Sequence, residues 1–255
     1  MARRWRGHGA CITVSFKTAT SGGLLANQPD GHTLALGNLT MMPFFADLVM
    51  RTDEARRGFE TNSVVLDAVA SGMSVERYRA LLLELYHVVW HFNPVCGAAA
   101  SRIPDSHRQI RYYLYEHMHE ESGHEEWVMS DLEAVGVPRD STVAHEPAVH
   151  TLALNGYNYW AADRRDPCSV LGMMYALEVI ASVYGGPFSS AIRESLLLEG
   201  ERGVSFISSH ATMDAEHMAS LRTIMNTIVD EPTRNAIVES TLVNFHHVTR
   251  IFEAI

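Results

Sequence analysis

The stretch SVLGMMYALEVIASVYGG, residues 169–186, is the most apolar part of the chain. Its apolar residues leave no polar face, which is the pattern of a helix that is buried on all sides. Glu178 is the only charged residue between Asp166 and Arg193. A buried carboxylate without a partner is costly or becomes protonated, so a bound cation is the expected companion of Glu178. A salt bridge to an arginine is the alternative.

Apolar residues recur at three-to-four spacing from Met41 onward, and Gly or Pro stands only at wide intervals. This pattern is typical of helices, whereas strands would show short alternating runs. Pro94 is expected to kink or end the second helical unit. The units span residues 42–71, 74–93, 104–136, 146–164, 167–186, 188–199, 204–228 and 232–255. The sequence therefore predicts an all-α fold, a single bundle of seven to eight helices formed by residues 41–255.

The composition excludes several classes of protein. A formal net charge of −10 and the lack of a long basic stripe argue against nucleic-acid binding. No window reaches about 18 uninterrupted apolar residues, so no membrane span is expected. The three cysteines, Cys11, Cys96 and Cys168, are scattered without CxxC spacing, which is typical of a reducing compartment. The sequence thus predicts a cytoplasmic protein.

Residues 1–40 differ from the rest of the chain. They begin with a basic segment and continue with a Ser-, Thr- and Gly-rich one, and they contain no apolar run long enough for a secretory signal. We expect this part to be a disordered leader, or the product of an early translation start.

Two motifs combine carboxylate and imidazole side chains at helical spacing. His210, Asp214 and His217 in HATMDAEHM lie at i, i+4 and i+7, so they share one face of a helix. Glu121 and His124 show the Glu-x-x-His spacing with which carboxylate-bridged di-iron bundles aim two ligands inward. Oxygen and nitrogen ligands without thiolate favour iron or manganese over structural zinc. A charged, solvated face is the alternative for HEESGHEEW.

The second helical unit presents a third stripe in LLLELYHVVWHF. Glu84, His87 and His91 lie on one face of this predicted helix, and any of them could add a ligand to the metal site. The spacing alone does not choose among them.

The ordered combination of these motifs resembles the haem-oxygenase-like di-iron oxidases and oxygenases. The resemblance extends over about residues 42–230 and rests on Glu-x-x-His, the lone glutamate in MYALEVIAS, and His-x-x-x-Asp-x-x-His. It implies a haem-oxygenase-like bundle, two Fe(II) ions as cofactors and O2 as co-substrate. The implied substrate is a small amino acid, amine or fatty-acid-type molecule, in a specialised, natural-product pathway. A homodimer is also implied.

The resemblance also implies which residues bind the two irons. The ligand set that it implies is Glu84, Glu121, His124, Glu178, His210, Asp214 and His217. It assigns no catalytic residue beyond these ligands. Four carboxylates would balance the four positive charges of two ferrous ions, so the loaded site is expected to be nearly neutral.

Related helical enzymes provide the alternatives. A thiaminase II-like hydrolase would need a nucleophilic cysteine, for which Cys96 and Cys168 are available. A cofactorless oxidase that resembles pyrroloquinoline quinone synthase would use histidines and arginines around a quinone. The hydrolase would have no use for the His-x-x-x-Asp-x-x-His motif, and the cofactorless oxidase would use no metal.

Overall fold

The computed structural model describes residues 42–255, except for the side chains of residues 213–216. Within this part the chain forms α-helices joined by short turns and contains no strand, so the all-α prediction is confirmed. The helices are α1 (Phe44–Arg51), α2 (Asp53–Glu60), α3 (Ser63–Ser71), α4 (Val75–Ala100), α5 (Arg108–Glu120), α6 (His124–Ala134), α7 (Arg139–Val143), α8 (Val149–Trp160), α9 (Val170–Leu196), α10 (Ser205–Met225) and α11 (Glu231–Ala254). The disordered leader predicted for residues 1–40 lies outside the described residues.

Helix α9 forms the centre of the bundle. It packs most extensively against α10 and then against α11 and α3, while α4 packs against α5, α6 and α8. By length and composition, Pro167–Leu196 could cross a membrane, since its mean hydropathy is 1.5. Most of that apolar surface is buried against other helices, and Glu178 lies within it. The high hydropathy of this segment is therefore explained by its position as the core helix of the bundle.

The described residues contain eleven α-helices, which is more than the seven to eight predicted. The first predicted unit is divided into α1, α2 and α3 because the chain turns at Thr52 and at Asn62. The Asn62 side chain accepts hydrogen bonds from the backbone N–H groups of Val64 and Val65, which fixes the start of α3. At Asn62, a polar cap residue thus starts a new helix within a continuous apolar pattern.

Pro94 and Pro187 do not end helices, although predicted helical units were bounded at both positions. Helix α4 continues through Pro94 to Ala100, and α9 continues through Pro187 and merges the fifth and sixth predicted units. A proline inside a helix removes one backbone hydrogen bond and disfavours the local geometry. Here the packing of both long helices against their neighbours outweighs that local cost.

Among the described glycines, Gly172 makes the closest approach to another backbone, where α9 meets α11. A β-carbon placed on Gly172 would lie 2.3 Å from the carbonyl oxygen of Ile237 and 2.9 Å from the β-carbon of Ser240. Only a residue without a side chain allows the two helices to lie this close.

We expect Gly172→Ala to destabilise the protein by about 1–3 kcal/mol, because the added methyl group must separate α9 from α11. Gly156→Ala is the matched control, since Gly156 lies in α8 with open space around its α-carbon. That substitution should be neutral or stabilise the protein by about 0.5–1 kcal/mol through helix propensity. Urea unfolding of both variants measures the difference, and equal stabilities would contradict the packing argument.

Candidate metal centre

Two groups of potential metal ligands share the carboxylate of Glu121. The first group contains His117, Glu178 and His217 with Glu121, and the second contains His124 and His210 with Glu121. In each group, one ligand atom per residue lies within 4.8 Å of the corresponding atoms of the others. A carboxylate has two oxygens, so Glu121 can contribute one to each group.

A break between α5 and α6 positions Glu121 and His124. Glu121 follows the last residue of α5, and Gly123 adopts a left-handed conformation with φ of 94° just before α6 begins at His124. Nδ1 of His124 consequently lies 2.7 Å from Oε2 of Glu121. The Glu-x-x-His motif therefore spans a turn, whereas the sequence analysis placed it inside one helix. Glycine suits this turn because it tolerates positive φ.

Asp131 of α6 anchors the start of α10. Its carboxylate accepts hydrogen bonds from the backbone N–H groups of Gly203, Ser205 and Phe206 at 2.9–3.0 Å, and from the hydroxyl of Ser205 at 2.9 Å. A carboxylate at this end of a helix satisfies the unpaired N–H groups and complements the helix dipole. Through this anchor, α10 is held beside α6 and its histidines face Glu121.

His210 is oriented for binding through one particular nitrogen. Its Nδ1 donates to the carbonyl oxygen of Phe206 at 2.9 Å, and its Nε2 lies 3.5 Å from Oε2 of Glu121. A carbonyl can only accept, so Nδ1 carries a proton, and Nε2 is the ring nitrogen that faces Glu121 and is available to bind a metal ion there. Metal-bound histidines are commonly held by such a hydrogen bond from the other ring nitrogen.

In the first ligand group, several buried polar atoms have no hydrogen-bond partner among the described residues. Oε1 of Glu178 lies 3.3 Å from Nδ1 of His217 and 3.7 Å from Nε2 of His117. Within the described part of the chain, no hydrogen-bond partner satisfies Nε2 of His117, Oε2 of Glu178 or Nδ1 of His217. Buried polar atoms normally have partners, so unsatisfied polar atoms on these three neighbouring side chains fit a bound metal ion.

The pKa shifts follow from the same contacts. Burial opposes ionisation of Glu121, but hydrogen bonds from His124 and His210 lower its pKa far below the usual range. The contact with Glu178 raises the pKa of His217 to about 9. Burial lowers the pKa of His117 and so favours its neutral form, in which a ring nitrogen can bind metal.

The structure brings together five of the seven predicted ligands: Glu121, His124, Glu178, His210 and His217. The side chain of Asp214 lies outside the described residues, so its role as a ligand stays a prediction.

Glu84 does not join either ligand group. Its carboxylate accepts hydrogen bonds from the backbone N–H of Ala148 and from the hydroxyl of Thr151, at the start of α8. The face of α4 that approaches Glu121 and Glu178 is instead formed by apolar residues, including Leu85 and Val88. The alternatives on the same stripe also lie elsewhere, because His87 contacts His145 and His91 contacts Tyr159.

His117 is a candidate ligand that was not predicted from the sequence. This residue lies four positions before Glu121 on α5, is buried, and lies with its ring centroid 4.8 Å from that of His217. The spacing His-x-x-x-Glu-x-x-His over residues 117–124 was the available signal. It was obscured by other histidines and glutamates in the same segment, such as His119 and Glu120.

An aromatic side chain packs directly on the second ligand group. Trp127 stacks on His124 with a centroid distance of 4.0 Å and an interplanar angle of 26°, and it is 6.0 Å from His210. The indole thus covers the ring of a candidate ligand and can report on metal binding there.

Comparison with known proteins identifies the family. The sequence model of a family described as iron-containing redox enzymes, of the haem-oxygenase type, matches residues 79–244. The chain belongs to this family, as the resemblance predicted, and all the described ligand candidates lie within the matched region. No curated protein matches the chain.

Solved structures show the same fold at low sequence identity. A domain of unknown function with a haem-oxygenase-like fold from Shewanella denitrificans is 19% identical and has a TM-score of 0.73, with 84% of this chain and 92% of that chain covered. A TenA homologue from Pseudomonas syringae is 13% identical, with a TM-score of 0.72 and coverage of 89% and 98%. A haem oxygenase from the cyanobacterium Synechocystis, solved with haem, is 14% identical, with a TM-score of 0.65 and coverage of 84% and 92%. The predicted haem-oxygenase-like fold is confirmed.

The raised pKa of His217 predicts how the stability of the metal-free protein depends on pH. Its imidazolium form is favoured in the folded state, so its contribution is fully present below about pH 6.5, the ordinary pKa, and is lost as the pH rises through about 9. We expect the unfolding free energy of chelator-treated protein to fall across this range. Urea unfolding should show a weaker fall for His217→Ala, whereas identical pH profiles would contradict the assignment.

Proposed function

We propose that this protein is a non-haem di-iron enzyme that uses O2 to oxidise a small organic substrate with an anionic head group and an apolar body. The observation that carries the proposal is the position of the Glu121 carboxylate between two ligand groups, each of which contains two histidines. A shared carboxylate is the usual bridge in di-iron proteins built from helices. Membership of a family of iron-containing redox enzymes supports iron as the metal.

The residues divide into two sets around that bridge. His124 and His210 would hold one iron with one oxygen of Glu121, and His117, Glu178 and His217 would hold the other with the second oxygen. Asp214 is the remaining proposed ligand. Two ferrous ions bound here would supply the electrons that O2 needs. The hydrogen bond to Phe206 keeps His210 in the tautomer that binds metal, and burial keeps His117 neutral.

The charge of the site supports an anionic substrate group. The described ligands include two carboxylates, Glu121 and Glu178, and Asp214 would add a third. Because Glu84 is engaged at α8, the set has fewer carboxylates than the four predicted from the sequence. Two ferrous ions carry four positive charges, so three ligand carboxylates leave one positive charge within the ligand set, which a substrate carboxylate can balance. The half-exposed carboxylate of Glu120, 3.4 Å from Nε2 of His217, lies outside that set.

A cavity of about 180 Å³ adjoins the centre and supports an apolar substrate body. A cavity of roughly 150 Å³ accepts benzene in another protein, so this one suits a slightly larger group. Among the described residues that line this cavity, the candidate metal ligands are Glu121, Glu178 and His210. Most of its wall is apolar, including Leu81, Leu85, Val88 and Phe92 of α4 and Leu177 and Ile180 of α9. This lining favours a fatty-acid-type substrate over an amino acid, whose ammonium group would need a polar partner.

The cavity wall also has a part in the chemistry. Its side chains would orient the apolar body towards Glu121 and Glu178 and exclude water from the reacting end of the substrate. The hydrolase alternative receives less support from the cysteines. Burial raises the pKa of the Cys96 and Cys168 thiols, which disfavours the thiolate that a nucleophile requires.

Iron loading tests the centre. Protein treated anaerobically with Fe(II) should bind about two irons per chain, quench the fluorescence of Trp127, and consume O2 when air is admitted. His117→Ala should lose iron, because it removes a ligand that the structure places beside Glu178 and His217. Glu84→Gln should keep both irons, since Glu84 lies outside the ligand groups. Only trace iron in the wild-type protein would refute the proposed function.

Chain-length dependence tests the substrate class. In iron-loaded protein, the affinity for saturated carboxylates should rise about fourfold per methylene group until the cavity is full. Val88→Phe should shift the optimum to shorter chains by filling part of the cavity, whereas Val149→Phe, on the exposed surface of α8, should not. Titration calorimetry measures both series. An affinity that is independent of chain length would contradict an apolar substrate body.

A further inference from the structure

A second cluster of titratable side chains joins α4 to the segment that precedes α8. Nδ1 of His145 lies 3.3 Å from Nε2 of His87, and the two ring centroids are 5.5 Å apart. On the other side of the same ring, Nε2 of His145 lies 3.9 Å from Oε1 of Glu84. These residues include two members of the α4 stripe that the iron centre does not use.

Glu84 is a fixed, buried negative charge in this cluster. Its carboxylate accepts hydrogen bonds from the backbone N–H of Ala148 and the hydroxyl of Thr151, and only 6% of the residue is exposed. A carboxylate on the Nε2 side of His145 favours the tautomer with the proton on Nε2. The lone pair of Nδ1 is then directed towards His87.

The separation of the two imidazole nitrogens matches a shared metal ion. Two nitrogens bound to one tetrahedral zinc ion at about 2.0–2.1 Å lie about 3.3–3.4 Å from each other. Burial and the nearby His145 both lower the pKa of His87, so this ring is neutral near pH 7 and has a lone pair to offer. The exposed side chain of Glu146 follows His145 directly and adds negative charge beside the pair.

We propose that His87 and His145 bind one divalent transition-metal ion of the zinc type, at a site separate from the iron centre. Through its charge, the Glu84 carboxylate, 3.9 Å from Nε2 of His145, favours the tautomer that offers Nδ1 to the metal, and Glu146 or water completes the coordination. The bound ion ties the segment before α8 to α4 and stabilises the fold. The site does not depend on the proposed oxidase function, because it shares no ligand with the iron centre.

Zinc binding to the full-length protein tests this site. Equilibrium dialysis against zinc should show one ion more per chain for the wild type than for His87→Ala or His145→Ala. His246→Ala is the control, because it removes an exposed imidazole on α11 outside the cluster, and it should match the wild type. His217→Ala should lose zinc only at the other centre and keep this additional ion.

The Glu84 carboxylate provides a finer test. Glu84→Gln keeps an acceptor for Ala148 and Thr151 but removes the charge, so zinc affinity at this site should fall about 10- to 100-fold. In the wild type, nitrogen NMR of the imidazoles should show zinc-dependent shifts at His87 and His145 together. Unchanged zinc stoichiometry in His145→Ala, or unshifted ring signals, would mean that the rings form only a hydrogen bond with each other, and would overturn the inference.

Discussion

The buried, ionised carboxylate of Glu121 is the interaction on which the site depends. It lies at a break between two helices and receives contacts from His124 on α6 and His210 on α10. An isolated charge would be unstable at this depth, so the surrounding imidazoles are a condition for its presence as well as candidate ligands. At the N-terminus of α10, the backbone N–H groups would otherwise be buried without partners, and the Asp131 carboxylate accepts hydrogen bonds from them. Two buried carboxylates thus connect α6 to α10, one through side chains and the other through the backbone.

Much of the fold and part of the centre could be predicted from the sequence, where the signal was local. The apolar run around Glu178 indicates a core helix, because a helix with this sequence has no polar face to expose to solvent. In the structure this helix is α9. His210 and His217 lie on one face of α10 because seven residues make nearly two helical turns. The break at Gly123 was not predicted, since its left-handed conformation depends on the packing of α5 and α6 as separate helices.

The α4 stripe shows the limit of reasoning from one helix face. Periodicity indicates that Glu84, His87 and His91 lie on one side of a helix, but the direction in which that side points depends on the neighbours. In the fold, α4 turns its apolar residues towards the centre, and its polar stripe meets α8 and the preceding segment. His117 was missed for the converse reason. Only the approach of α5 to α9 and α10 shows that it, and not the neighbouring His119, lies beside Glu178.

The contact at Gly172 has a consequence for the chemistry of the protein as well as for its packing. Glu178 follows Gly172 by six residues, or about 9 Å along the axis of α9. The depth at which this carboxylate enters the centre is therefore set by how closely the backbones of α9 and α11 approach at Gly172. A residue that has no side chain thus helps to set the position of one candidate ligand. Helix α11 contributes none of the described ligand candidates. Its close contact with α9 nevertheless helps to determine where Glu178 lies.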